Sequence, residues 1–146
     1  SERLVFATKV SIAQYIAQFR QADLYLDTFT YNAGATASNA LWAGLPVLTK
    51  LGKGYTARMA GSLLASLGLP ELITTKETEY EELALKLATN PERLGAIKLK
   101  LAANRLSEPL FNTELFTKHL EDGYQRAYQQ YFDGKKPEAI YVPEQV

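Results

Sequence analysis

Short apolar runs alternate with helical patterns through the first half of the sequence, which predicts an α/β fold built on a parallel sheet. Three observations carry that prediction. No hairpin signal joins the candidate strands, so each reaches the next through a helical crossover. Gly44 and Gly68 stand where helices should stop, each shortly before another strand. After residue 75 the strand patterns end and helical ones continue alone.

The elements follow in order. Arg3-Leu-Val-Phe-Ala7 is β-branched and aromatic and reads as a first strand. Ser11 is a candidate cap for a helix whose Ile12, Tyr15, Ile16 and Phe19 share one face. Leu24-Tyr-Leu26 is a second strand. A helix runs from Thr36 to Ala43 and closes at Gly44, and Pro46 opens a third strand, Val47-Leu-Thr49. Gly52-Lys-Gly54 forms a flexible turn. A small-residue helix spans Thr56–Leu67 with Met59, Leu63, Leu64 and Leu67 inward, and Leu72-Ile73 is a fourth strand.

Beyond residue 75, Glu79–Thr89 places Tyr80, Leu83, Ala84 and Leu87 together. Pro91 suits the first turn of a further helix with Leu94, Ile97 and Leu101 inward. Pro109 interrupts, and Asn112 or Thr113 caps a last helix to Phe132, about 30 Å long at 1.5 Å per residue. Its stripe of Phe116, Leu120, Tyr124, Tyr128 and Tyr131 is expected to be core. The chain thus divides into an alternating part (1–75), a helical part (76–134) and an extended tail (135–146), within a single domain.

Composition narrows the function classes. A chain of 146 residues can bury a core without staples. Sixteen basic residues balance sixteen acidic ones, so no net field points to nucleic acid or a membrane surface. The first 60 residues are mildly positive, with Arg3, Lys9, Arg20, Lys50, Lys53 and Arg58 against Glu2, Asp23 and Asp27. The absence of cysteine removes disulfides, thiolate metal sites and a Cys nucleophile, and a lone His119 removes a multi-histidine metal site. No apolar run is long enough to span a bilayer and no signal peptide is apparent. The chain begins at Ser1 rather than Met and is expected to be part of a longer protein.

The segment from Asp23 to Thr49 carries most of the functional information. Between strand and helix it offers Gly34, Ala35 and Thr36, small residues that leave the first helical N–H groups uncovered. Those donors and the helix dipole favour a phosphate, and ligands of parallel sheets sit beyond the carboxyl ends of the strands. The competing reading is an ordinary cap supplied by Thr36 or Ser38. Neither a dinucleotide fingerprint nor a Walker loop is present. Asp27 suits a turn cap, His119 a packed or solvated position, and Glu81-Glu82 a solvated face. No Ser/His/Asp set can be assembled.

The motifs Asn32-Ala-Gly-Ala-Thr-Ala-Ser-Asn-Ala-Leu-Trp-Ala-Gly-Leu-Pro-Val-Leu-Thr49, Ala57-Arg-Met-Ala-Gly-Ser-Leu-Leu64 and Ser107-Glu-Pro-Leu-Phe-Asn-Thr113 resemble the catalytic region of the O-linked N-acetylglucosamine transferases and the Spindly proteins. The resemblance covers the chain from about Arg3 to Pro143. It implies the C-terminal lobe of a GT-B glycosyltransferase, a Rossmann-like parallel sheet with flanking helices followed by C-terminal helices.

It further implies transfer of a GlcNAc-like sugar from a UDP-sugar, or a GDP-sugar, to Ser or Thr hydroxyls of proteins. The reaction would be inverting and would need no metal or other cofactor. The acceptor would bind through a missing N-terminal lobe and tetratricopeptide repeats, in the cytoplasm, with no part for nucleic acid or membrane. Site residues carry over one by one. Gly34, Ala35 and Thr36 stand at the diphosphate loop, where the family's His-Thr-Thr is reduced to the single Thr36. Asn39 replaces the acidic residue on the ribose hydroxyls, and Tyr15 aligns with the group that stacks on the base. Tyr15 is equally well read as a core aromatic. The remaining catalytic groups fall outside these residues, so the chain by itself is expected to be inactive. Two alternatives stay open: a non-catalytic interaction domain with a decayed nucleotide site, and the lobe of another GT-B enzyme such as a sugar-nucleotide epimerase.

Overall fold

The computed structural model describes residues 2–143. Its centre is a three-stranded parallel sheet in the order β1 (Tyr25–Leu26), β2 (Val47–Lys50), β3 (Ile73–Thr74). Tyr25 pairs with Val47 and Leu26 with Leu48, while Thr49 pairs with Ile73 and Lys50 with Thr74. Successive residues of a strand face opposite sides, yet Val47, Leu48 and Thr49 are all fully buried. Both faces of β2 are therefore covered, as parallel sheets require. The crossover helices are α2 (Ala35–Ala43) between β1 and β2 and α3 (Met59–Ser66) between β2 and β3, while α1 (Ile12–Gln18) precedes the sheet.

The main core joins α2, α3 and β2 to α4 (Glu77–Thr89) and α5 (Pro91–Ser107), through Leu41, Val47, Leu64, Leu87, Ile97 and Leu101 among others. Each such side chain contributes about 1.5–3 kcal/mol by leaving water. Element ends follow the expected chemistry. Ser11 forms a capping box with Gln14, Asn90 caps α5 through Arg93 N–H, and Asn112 caps the last helix, α6 (Thr113–Phe132), through Leu115 N–H. Gly44 ends α2 at φ 90°, and Gly68 follows α3 at φ 67°.

Four expectations need correction. Arg3–Ala7 is not a strand: it joins no sheet among the described residues, and Phe6 is 87% exposed. Its apolar pattern has no neighbouring strand or core surface within these residues. The helix expected from Thr56 starts only at Met59, because residues 51–58 are taken up by hydrogen-bonded turns. Leu72 belongs to a 3-10 turn, Pro70–Leu72, so the last strand is Ile73–Thr74.

The fourth correction is the largest. The aromatic stripe of α6 is not core, for no residue of that helix is buried. Phe116, Tyr124, Tyr128 and Tyr131 are 63–77% exposed, and Leu120 is 42% exposed. The periodicity is real, but no element among the described residues buries that face. The tail returns along α6, where Ile140 and Tyr141 flank a cavity with Arg126, Gln129 and Gln130. Residues 1 and 144–146 of the expected segments lie outside the described ones.

Candidate functional site

The loop between β1 and α2 leaves the carboxyl edge of the sheet, and Asp27 organises it. Asp27 Oδ1 accepts from Thr28 N–H at 2.9 Å and from Ala33 N–H at 2.8 Å, and Oδ2 accepts from the Thr49 hydroxyl at 2.6 Å. The carboxylate is only 4% exposed. It closes the turn, the role expected of it, and its three donors occupy it as a scaffold. From α4 the Tyr80 hydroxyl donates to the Asp27 carbonyl at 3.0 Å. Burial, with the neighbouring carboxylate, pushes the Tyr80 phenol up to about 12. The Tyr25 phenol is raised as well, by burial first and by Asp27 next.

A second loop is bound to the first. Asn32 N–H donates to the Thr56 carbonyl at 2.9 Å, and the Thr56 hydroxyl reaches the Thr30 carbonyl at 3.4 Å. Thr30 adopts φ 69°, a left-handed conformation that is costly for a β-branched residue. Asn32 is buried and donates through Nδ2 to the Thr28 carbonyl at 2.9 Å, while its Oδ1 is buried without a donor. Gly52 lets the second loop fold on itself: a Cβ there would meet the Ala57 Cβ at 2.5 Å.

The expected diphosphate residues fall at the start of α2. Gly34 is its N-cap residue, Ala35 and Thr36 begin the helix, and no side chain caps it. The competing cap by Thr36 or Ser38 is thus not formed; Ser38 instead continues the helix through its N–H to the Gly34 carbonyl at 3.0 Å. The helix start presents backbone donors at the carboxyl edge of a parallel sheet, an arrangement that suits an anion. Asn39 lies on α2 three residues after Thr36 and is half-buried. Tyr15 lies on α1, which packs against α2, and meets Phe19 edge-on with ring centroids 4.9 Å apart. It too is half-buried, and its contact is with Phe19, which packs against the core.

Two cations were not singled out from the sequence. Lys53, Tyr55, Arg58, Met59 and Ser62 line a groove of about 400 Å³. Met59 ties it to the α2 start, since its Cε lies 3.6 Å from where a Gly34 Cβ would sit. The rule that points to the first loop also applies to the loop after β2, and that was the available signal. Lys50, by contrast, is committed: it pairs with Glu77 at 2.8 Å, holding that carboxyl below its usual range, and lies over the Phe29 ring at 4.3 Å.

His119 lines a small pocket with Ser66, Leu110, Leu115 and Phe116, on α6. Glu81 and Glu82 are exposed on α4. Among the described residues no cluster of three or more His, Cys, Asp or Glu side chains is placed to hold a metal ion.

The two distinctive motifs touch each other. Trp42 meets Phe111 edge-on at 5.1 Å, and Arg105 reaches the Trp42 carbonyl at 2.7 Å while stacking over its ring. Leu-Trp-Ala-Gly and Pro-Leu-Phe-Asn-Thr therefore serve to join α2 to the turn before α6, and their part is architectural.

Fold and site together define a Rossmann-like α/β lobe of the GT-B type with an uncapped helix start at its sheet edge. Residues 1–120 match the model of glycosyl transferase family 41, and the chain belongs to that family. It is 34% identical over 144 residues to the probable UDP-N-acetylglucosamine–peptide N-acetylglucosaminyltransferase SEC of Arabidopsis thaliana, covering 98% of this chain and 15% of that protein. The corresponding transferase of Caenorhabditis elegans is 30% identical over 132 residues, covering 90% and 12%. Among solved structures, a mutant O-GlcNAc transferase of Thermobaculum terrenum superposes with TM-score 0.83 at 32% identity, covering 88% of this chain and 25% of that one. The chain thus spans a small part of the relatives it matches. Membership of a transferase family removes the epimerase alternative.

Proposed function

We propose that this chain is the donor-binding lobe of a protein glycosyltransferase, gripping a UDP-sugar and acting with other parts of a longer protein. The observation that carries this reading is the uncapped start of α2 at Gly34-Ala35-Thr36, beyond the carboxyl edge of the sheet. Family membership and the UDP-N-acetylglucosamine named for its relatives support the donor class. Backbone donors held rigidly where the leaving diphosphate gains charge would stabilise its departure without a metal ion. Asn39 would accept or donate a bond to the ribose and Tyr15 would stack on the base. The acceptor, a protein hydroxyl, would be held outside these residues.

The test is a backbone amide titration by NMR with UDP, GDP and uridine in parallel. UDP or GDP, and not uridine, should shift the amides of residues 34–36 most, with smaller shifts at Tyr15 and Asn39. Absence of diphosphate-dependent shifts there at millimolar ligand would overturn the reading in favour of an interaction domain. Sugar transfer by the 146-residue chain unaided would contradict the division of labour proposed here.

A further inference from the structure

We infer that the groove between Lys53 and Arg58 is the subsite for the distal, sugar-bearing phosphate of the donor, with those two side chains as its cationic walls. This rests on the donor-lobe reading and extends it to the loop after β2 and the start of α3. Tyr15 lies on α1, which packs against α2, Gly34–Thr36 lie at the start of α2, and Asn39 follows one turn later. The groove opens on the α3 side, joined to the helix start by Met59 against Gly34. A nucleoside held near α1 and a diphosphate seated on the α2 start direct the outer oxygens of the distal phosphate towards Lys53 and Arg58.

The groove is built for it. Its volume, about 400 Å³, exceeds that of a phosphate and leaves room for part of a sugar ring. Lys53 and Arg58 take part in no ion pair among the described residues, whereas Lys50 nearby is neutralised by Glu77. The groove has no acidic lining residue, and the Tyr55 and Ser62 hydroxyls supply neutral donors. The loop that carries Lys53 and Arg58 is braced by the bond from Asn32 N–H to the Thr56 carbonyl and by Gly52 N–H to the Ala57 carbonyl at 2.8 Å. Arg58 is the N-cap residue of α3; its guanidinium, a donor only, cannot accept from the helix N–H groups, and it lines the groove.

The experiment compares UDP with UMP on the 146-residue chain and on its Lys53→Ala, Arg58→Ala and Arg58→Lys variants, by amide titration. Both side chains are exposed, so the variants should keep the parent spectrum away from the groove. Each Ala variant should weaken UDP by about tenfold, the worth of a charge-assisted hydrogen bond, while leaving UMP unchanged. Arg58→Lys should restore most of the loss. Equal UDP affinity in parent and Ala variants, with the shifts at residues 34–36 intact, would overturn the subsite and leave the donor lobe standing. Equal losses for UDP and UMP would also overturn it. Failure of UDP to shift residues 34–36 in the parent would remove the donor-lobe reading itself.

Discussion

Asp27 and Tyr80 bind the β1–α2 loop to the sheet and to α4, and the Tyr80 bond bears on how the loop responds to pH. The folded state holds the Tyr80 proton more tightly than the unfolded chain does, because burial lifts the phenol from 10.0 to about 12. Stability from this group is complete below about pH 10 and is lost as pH rises towards 12. Tyr80→Phe should cost about 1–3 kcal/mol at neutral pH, since the buried Asp27 carbonyl loses its donor. The same variant should flatten the alkaline fall in stability. Urea unfolding at neutral and alkaline pH measures both, and an unchanged alkaline slope would show that Tyr80 is not the group responsible. Asp27 illustrates what a sequence does and does not reveal about a site. A carboxylate at a strand end reads as a turn cap, and it is one. That its second oxygen is spent on Thr49, 22 residues away, follows from tertiary pairing that no local pattern encodes.

Helix starts show a further division between local and distant causes. Ser11, Asn90 and Asn112 cap their helices as their chemistry predicts, because a cap is made by neighbours in the chain. At α4 the work is done by Glu79, whose Oε2 accepts from Thr75 N–H and hydroxyl and from Lys76 N–H at 3.0–3.2 Å. Those bonds, the Thr75 backbone first, hold the carboxyl down to about 2. Its contribution is present above the ordinary 4.5 and lost as pH falls towards 2. Glu79→Gln should keep an acceptor yet make the acid limb of the helix signal less steep, as followed by circular dichroism. An acid limb identical to the parent's would assign the sensitivity elsewhere. What local pattern could not give was the partner of each element. Among the described residues, Arg3–Ala7 has the composition of a strand and no strand beside it, and α6 has the periodicity of a core helix and no buried residue. Lys53 and Arg58 were hidden for the same reason, since their convergence depends on how residues 51–58 fold back.

Taken as one body, the chain is well packed at its sheet and open along α6. The exposed rings of Phe116, Tyr124, Tyr128, Tyr131 and Phe132 make a strip larger than scattered surface residues would. Two of its ring pairs, Tyr128–Phe132 at 5.3 Å and Tyr131–Phe132 at 5.8 Å, cluster at the far end. With sixteen charges of each sign, the chain has no net repulsion to offset such a strip. The chain in solution should self-associate with rising concentration, and Tyr128→Ser with Phe132→Ser should reduce this without lowering the unfolding temperature. Sedimentation velocity and a thermal melt measure the two parts. A monodisperse parent at high concentration would contradict the first, and a large drop in melting temperature the second.

The start of α2 has one more consequence. Its candidate ligand groups are main-chain N–H donors, which every residue except proline supplies, so the side chains at 34, 35 and 36 are free to vary without erasing them. A lock whose pins are the backbone is indifferent to much of its lettering. Chains that have drifted at these three positions can keep the same grip on an anion, provided that the bend before the helix and the carboxylate that fixes it remain. The letters that matter for inheritance of such a grip are then Asp27 and Thr49, which shape the turn from behind.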